Sequence, residues 1–269
     1  MIDINKIYCG NNLDIMKTMD TESIDLIYLD PPYFSQKNYG DFNDFWNSLD
    51  DYLTFMKLRL QEMHRILKDT GSIYLHVDWH AVHYLKVEMD KIFGYNNFQN
   101  EIIWCYKGGN ATKKFRQKHD TILFYSKGKN KTFNVNDVRI PYNEILLNNT
   151  LKDNEGKLYY KTGQKGSKGK VYLHPNGQLL NDWWDDIPSA TSAHGNEFKG
   201  YPTQKPEALL SRIIKVSSNP NDIIFDPFCG SGTTLEVANR LGRKYIGIDE
   251  NKQAIEICKK RLKNNYNNW

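Results

Sequence analysis

The sequence predicts a doubly wound α/β fold with a mostly parallel sheet, and three observations predict it. Short apolar runs rich in Ile, Val, Tyr and Leu alternate with segments of helical period. One such run stops at a proline pair, Asp30-Pro31-Pro32-Tyr33, and another enters a Gly-rich turn, Asp226 to Thr234, that opens a helix.

The elements follow in order. Ser23 to Leu29 reads as a buried strand, ended by prolines that cannot donate to a ladder. A polar and aromatic loop runs to about Asn47. Leu53, Met56, Leu60, Met63 and Leu67 then recur at helical spacing behind Asp50 or Asp51 as N-cap, a stripe that belongs to the core. Gly71 to Val77 is the next strand, followed by a helix to about Phe93 and strands at Ile102 to Tyr106 and His119 to Tyr125. From about Lys127 to Gly200 the periodicity weakens and Gly, Lys, Asn and Thr dominate, which marks an insertion. Order returns with a helix at Pro206 to Ser217 and a βαβ unit: strand 222–225, Gly-rich turn, helix to Leu241, strand 245–249. A last helix reaches about Lys263. The predicted division is one domain made of 1–126 and 201–269, with 127–200 inserted.

A chain of 269 residues can bury a full core of its own. Its four cysteines (Cys9, Cys105, Cys229, Cys258) form no CxxC pair, which suits reduced thiols better than a disulfide framework or a zinc site. No apolar run reaches membrane-spanning length, and the N-terminus lacks a basic region followed by an apolar stretch, so a cytoplasmic protein is expected. The net charge of +4 is unevenly spread: Glu101 to Pro175 carries 15 Lys or Arg against 6 Asp or Glu. Such a basic segment attracts phosphate backbones, although a solvated Lys-rich loop accounts for it as well.

The Gly-rich turn is Asp226-Pro227-Phe228-Cys229-Gly230-Ser231-Gly232-Thr233-Thr234, and Asp249 ends the next strand nineteen residues after Gly230. Glycines let the backbone approach a ligand, while a carboxylate at the second strand's end can accept ribose hydroxyls. The third glycine of dinucleotide folds is missing, so a nucleoside without phosphates fits better. S-adenosylmethionine is such a ligand, and its cationic groups favour carboxylates such as Asp226. A plain structural turn is the bland alternative.

Asp30-Pro31-Pro32-Tyr33-Phe34 offers an acceptor, a rigid turn and aromatic faces. An aromatic amine is a poor nucleophile because its lone pair is delocalised into the ring. If Asp30 and the Pro31 carbonyl accept its hydrogens, the nitrogen can pyramidalise and aim the lone pair at an electrophilic methyl. Tyr33 and Phe34 suit stacking on a base drawn from the duplex. Alone, the turn reads equally as a proline stop after a strand.

Together the motifs resemble the permuted, beta-type group of DNA amino-methyltransferases. The resemblance rests on DPPY at 30–33, TQKPEALL at 203–210, DPFCGSGTT at 226–234 and YIGID at 245–249, in that order, and covers nearly the whole chain outside the insertion. It implies the Rossmann-like fold of S-adenosylmethionine-dependent methyltransferases, an inserted target-recognition region and double-stranded DNA as substrate. A second copy of the chain and a cognate restriction endonuclease are the further partners it leaves open. It implies that Asp30, Phe228, Gly230, Gly232 and Thr233 contact the cofactor, that Asp249 takes its ribose, and that Thr203, Lys205 and Pro206 line its methionine end, with Lys205 toward the carboxylate. A contact is also expected at Gly10-Asn11, where the family shows Gly-Asp and this chain departs from it. Asp in the first place of the turn leans toward adenine N6 over cytosine N4.

His76, Asp78, His80 and His83 invite a metal reading, but methyl transfer requires none, and packing roles are expected for the histidines. Trp183 and Trp184 are expected to anchor the returning chain. Lys113, Lys114, Arg116 and Lys118 are the candidates for phosphate contacts, with an exposed basic loop as the alternative. The loop 35–47, with Tyr39, Phe42 and Phe45, is expected to close over the extruded base.

Overall fold

The computed structural model describes residues 2–38, 43–106, 113, 115–162, 169–191 and 203–266. Two compact units divide the chain: 1–133 with 182–269, and 134–181.

The first unit is built on an eight-stranded sheet. In chain order it contributes β1 (Lys6–Cys9), α1 (Asn12–Lys17), β2 (Ile24–Leu29), the short pair β3 (Lys37–Asn38) and β4 (Asn43–Asp44), α2 (Leu49–Ile66), β5 (Leu67–Val77), α3 (Val82–Met89), β6 (Phe98–Cys105) and β7 (His119–Ser126). The second unit holds α4 (Glu144–Asn148) and an antiparallel three-stranded sheet of β8 (Leu151–Lys152), β9 (Leu158–Thr162) and β10 (Gly169–Tyr172). The chain returns to the first unit with β11 (Trp183–Trp184), α5 (Glu207–Ser217), β12 (Ile223–Asp226), α6 (Thr233–Arg240), β13 (Lys244–Asp249) and α7 (Lys252–Tyr266).

The large sheet runs β1-β13-β12-β2-β5-β7-β6-β11, and only β7 opposes its neighbours. Strand alternation splits the core in two. Ile27, Leu29, Ile73, Leu75, Leu123 and Tyr125 face one cluster with Met56, Leu60 and Met63 of α2. Leu26, Tyr28, Tyr74, Ile122 and Phe124 face another with Leu210, Ile213 and Ile214 of α5 and Val237 of α6. This is the three-layer solution for a sheet buried on both faces.

Two boundaries differ from the sequence reading. Ser48, not Asp50 or Asp51, caps α2, its hydroxyl accepting from Asp51 N at 3.1 Å. Asp50 and Asp51 lie in the first turn, where a carboxylate favours the helix dipole without capping it. Leu67, placed on the helical stripe, has extended backbone (ψ 136°) and starts β5, so the helix passes into the strand without a loop. Of the tryptophan pair, Trp184 is buried and Trp183 is exposed; they add β11 alongside β6 at the sheet's edge. Among the described residues no helix is long and apolar enough to cross a membrane.

Candidate active site

β12 and β2 lie parallel, with Phe225 opposite Ile27, and the chain continues from β12 to β13 on one side and from β2 to β5 on the other. Connections that diverge in this way leave a crevice beyond the carboxyl ends of the two strands. A cavity of about 570 Å³ occupies it, lined by Asp30 to Tyr33, Asp226 to Ser231, Thr203 to Lys205 and Asp249 to Asn251. The proline pair and the Gly-rich turn, 196 residues apart from Asp30 to Asp226, thus face one space.

On the β12 side, Asp226 is 2% exposed, and burial pushes its carboxyl up to about 7 against hydrogen bonds from Thr234 and from Phe228 N at 3.0 Å. Asp249 Oδ2 accepts from Gly230 N at 2.9 Å and Oδ1 from Asn251 N at 2.8 Å, while burial raises its carboxyl too. These bonds tie the turn to the end of β13, and each oxygen keeps a second lone pair for a ligand hydroxyl. Phe228, Gly230, Thr233 and Thr234 line the cavity.

Gly232 does not line it. Its φ of 81° is left-handed, and a Cβ there would overlap Cys258 Sγ of α7. The glycine serves backbone conformation and helix packing rather than the approach of a ligand. Pro206 likewise lies outside the lining, as the N-cap residue of α5.

Asn11 is also placed elsewhere than expected. Its amide oxygen caps α1, accepting from Leu13 N at 3.0 Å, because an N-cap side chain folds back over the first amides. The next residue, Asn12, lines the cavity, donates to the Pro227 carbonyl at 2.8 Å and accepts from Arg59 Nε at 2.7 Å. Arg59 lies 3.3 Å from the Phe55 ring centroid, and burial lowers its guanidinium to about 10. Neither Asn12 nor Arg59 carries a motif, so only their meeting with the Gly-rich turn reveals them.

On the β2 side, Asp30 is the hub. Its Oδ1 accepts from the Tyr33 hydroxyl and its Oδ2 from Lys205 Nζ at 2.5 Å. Burial, then the Asp30 charge, raises the Tyr33 phenol well above its usual range, which keeps it a donor. Lys205 is 9% exposed, its ammonium also 3.3 Å from the Thr203 carbonyl and 5.3 Å from the Tyr33 ring centroid. The structure therefore directs Lys205 to the carboxylate of Asp30. Phe34 does not line the cavity: its backbone is left-handed (φ 63°) and its ring packs 5.5 Å from that of Tyr52.

The turn is pinned from behind. Asp44, 1% exposed, accepts from Tyr33 N (3.1 Å), Phe34 N (2.9 Å), Ser35 N (2.8 Å) and Trp46 Nε1 (3.0 Å). Tyr52 donates its hydroxyl to the Pro32 carbonyl at 2.8 Å. Below lies a buried polar chain. Burial raises Asp120, but the His76 hydrogen bond and charge, Lys205 and the Tyr106 hydroxyl together hold it below the usual carboxylate range. An ionised Asp120 makes His76 Nε2 the donor at 3.1 Å and leaves Nδ1 to accept from Tyr28 OH at 2.8 Å. The His76 and Tyr33 rings stack at 6.3 Å and 23°.

His80 bonds Asp78 at 2.8 Å, and among the described residues no cluster of three His, Cys, Asp or Glu is placed to hold a metal ion. Lys113 and Arg116 are exposed, and Lys118 is half-buried. Tyr39, Phe42 and Lys114 lie outside the described residues.

Comparison with known proteins supplies the family. The N6_N4_Mtase model, a DNA methylase, matches residues 24–260. Type II methyltransferase M.HpaI of Haemophilus parainfluenzae is 34% identical over 266 residues, covering 98% of this chain and 76% of that protein. DNA adenine methyltransferase YhdJ of Escherichia coli K12 is 34% identical over 256 residues, 94% of this chain and 81% of that protein. Among solved structures, a DNA modification methylase of Thermus thermophilus complexed with S-adenosyl-L-methionine superposes with a TM-score of 0.61 at 20% identity, covering 98% of this chain and 96% of that one. The cytosine-N4-specific PvuII methyltransferase does so at 0.60 and 16%, covering 98% and 94%. The chain belongs to the N6/N4 DNA methylase family and is an S-adenosylmethionine-dependent DNA methyltransferase.

Proposed function

We propose that this methyltransferase modifies adenine N6 of a base extruded from double-stranded DNA. The observation that carries the reading is the carboxylate of Asp30, with Pro31 beside it, standing in the crevice that also holds the Gly-rich turn. Five carboxylates (Asp30, Asp44, Asp226, Asp249, Glu250) and one ammonium, Lys205, line that cavity, a donor set that suits a cationic nucleoside such as S-adenosylmethionine. Asp249 and Glu250 would hold its sugar, and Asp226 and the Phe228 to Ser231 backbone would position the rest. Once bound, it supplies a sulfonium methyl open to in-line attack.

The chain's own contribution is to make the amine nucleophilic. Asp30 and the Pro31 carbonyl accept its two hydrogens, so its lone pair leaves the ring and points at the methyl. Tyr33 and Lys205 occupy one lone pair on each Asp30 oxygen, and the second remains for the amine. The methylated amine is acidic enough to lose its proton without a dedicated base. Residues 127–200, with the compact unit at 134–181, are assigned to reading the target sequence.

Nucleoside analysis of DNA exposed to the protein tests the reading. N6-methyladenine is expected, and the printed name of the E. coli relative supports it. N4-methylcytosine without N6-methyladenine would overturn the adenine assignment. Asp30→Ala should abolish transfer while cofactor binding persists. We place the enzyme in the cytoplasm, and the type II names of its relatives support a cognate endonuclease, to be sought in the neighbouring genes.

A further inference from the structure

One large apolar side chain has no place in either core. Phe115 is 97% exposed, whereas Phe93, Phe124 and Phe225 are at most 2% exposed. A single exposed apolar residue is ordinary on a protein surface. Phe115 is set apart by where it stands and what surrounds it.

It lies in the connection between β6 and β7. Cys105 pairs with His119, and Tyr106 N extends the ladder to the Lys118 carbonyl at 3.0 Å, so the segment beyond leaves the sheet at that edge. Val77 at the end of β5 pairs with Thr121 on β7, and β5 runs parallel to β2, so this is the edge from which Asp30 emerges. The root is fixed to the catalytic layer: Tyr106 OH donates to Asp120 at 3.0 Å, Asp120 holds His76, and His76 stacks on Tyr33. Lys113, Arg116 and Lys118 flank the ring in sequence. An apolar tip between cations is poorly suited to an apolar protein groove, and well suited to a duplex with phosphates outside and flat apolar base faces within.

Resting on the DNA methyltransferase reading, we propose that Phe115 is the wedge that enters the base stack when the target base leaves it. Extruding a base costs the stacking on both its faces and leaves the opposing base without a partner. An aromatic ring inserted into the gap restores stacking on whichever bases flank it and requires no sequence of its own. The neighbouring cations meanwhile hold the backbone on either side. Phe115 is thus a positioning residue that keeps the base available to Asp30, and it takes no part in the transfer.

Chemical rescue within the DNA tests this. On a duplex carrying the recognition site, mapped by sequencing methylated DNA, Phe115→Ala should lower the single-turnover methylation rate and the affinity by about tenfold or more. Phe115→Trp should stay near the parent. Cofactor affinity and melting temperature, read by calorimetry, should not move. A second duplex bears a pyrene nucleotide opposite the target base, so that the DNA fills its own gap. There Phe115→Ala should recover to within about threefold of the parent enzyme, since the stacking it lacks comes from the DNA. An equal defect on both duplexes, or no defect on the natural one, overturns the wedge. A parent enzyme that methylates no DNA would instead overturn the reading on which the proposal rests.

Discussion

Lys205 Nζ stands 2.5 Å from Asp30 Oδ2, across 175 residues of chain, with both side chains largely withdrawn from water. A buried carboxylate deprived of its cation is destabilised by far more than the net value of the pair, because the remaining charge is left uncompensated. Lys205→Met should therefore slow methyl transfer by about tenfold or more, the scale of one charge-assisted hydrogen bond, while cofactor affinity changes little. Rapid-quench kinetics beside calorimetric titration separate the two; a variant that loses cofactor affinity alone would place Lys205 at the cofactor instead.

Asp44 makes no contact with Asp30 through its own hydrogen bonds, yet it holds three consecutive amides of the segment that follows. Asp44→Ala should lower kcat on the order of 10²-fold, as expected when a reacting group is displaced by about 1 Å. Asp44→Asn, with one acceptor oxygen left, should lose less. Cofactor affinity measured in the same preparations should be within about threefold of the parent, since no Asp44 bond reaches the Gly-rich turn.

Asp226 binds a proton in the free protein below about pH 7, because burial raises it from 3.8. A cationic ligand favours the ionised form, so cofactor affinity should weaken as pH falls through about 7, by up to about tenfold per unit. Stability of the free protein should run the other way. A carboxyl raised on folding stabilises the fold at low pH, and that contribution is lost as pH rises from about 4 through about 7. Asp226→Asn should flatten both profiles, and titration calorimetry and chemical denaturation across that range would read them.

Gly232→Ala meets two obstacles, the left-handed φ of 81° and the overlap with Cys258. The backbone alone costs about 1–3 kcal/mol, and the overlap adds to it. Adding Cys258→Ala should relieve the second and leave the first. Denaturant unfolding of the single and double variants should therefore give a non-additive pair; strict additivity would show that the helix moves aside.

The resting position of Tyr33 bears on base binding. Its hydroxyl bonds Asp30 and its ring lies over His76. Tyr33→Phe keeps the ring and loses the bond, whereas Tyr33→Ala loses both. If stacking on the base is the ring's task, the phenylalanine variant should retain most DNA affinity and the alanine variant should lose about 1–3 kcal/mol of it, measurable by fluorescence anisotropy.

The sequence by itself determined what local chain geometry controls. Strand and helix periods assigned the α/β layers. The prolines after Leu29 ended β2, and glycines after Pro227 opened a turn before α6, so Asp30 and Asp226 were legible as strand-end residues. Motif order joined them to a family. Only the tertiary structure decided what depends on contacts between distant segments. It replaced Asn11 by Asn12 at the cavity because capping consumed the first amide. It turned Lys205 toward Asp30, gave Gly232 to Cys258, and made Asp44 the anchor of the turn. The physical reason is the same each time. Spacing along the chain fixes which face of its own element a side chain takes, but hydrogen-bond partners and burial are set by whichever residues the fold brings alongside.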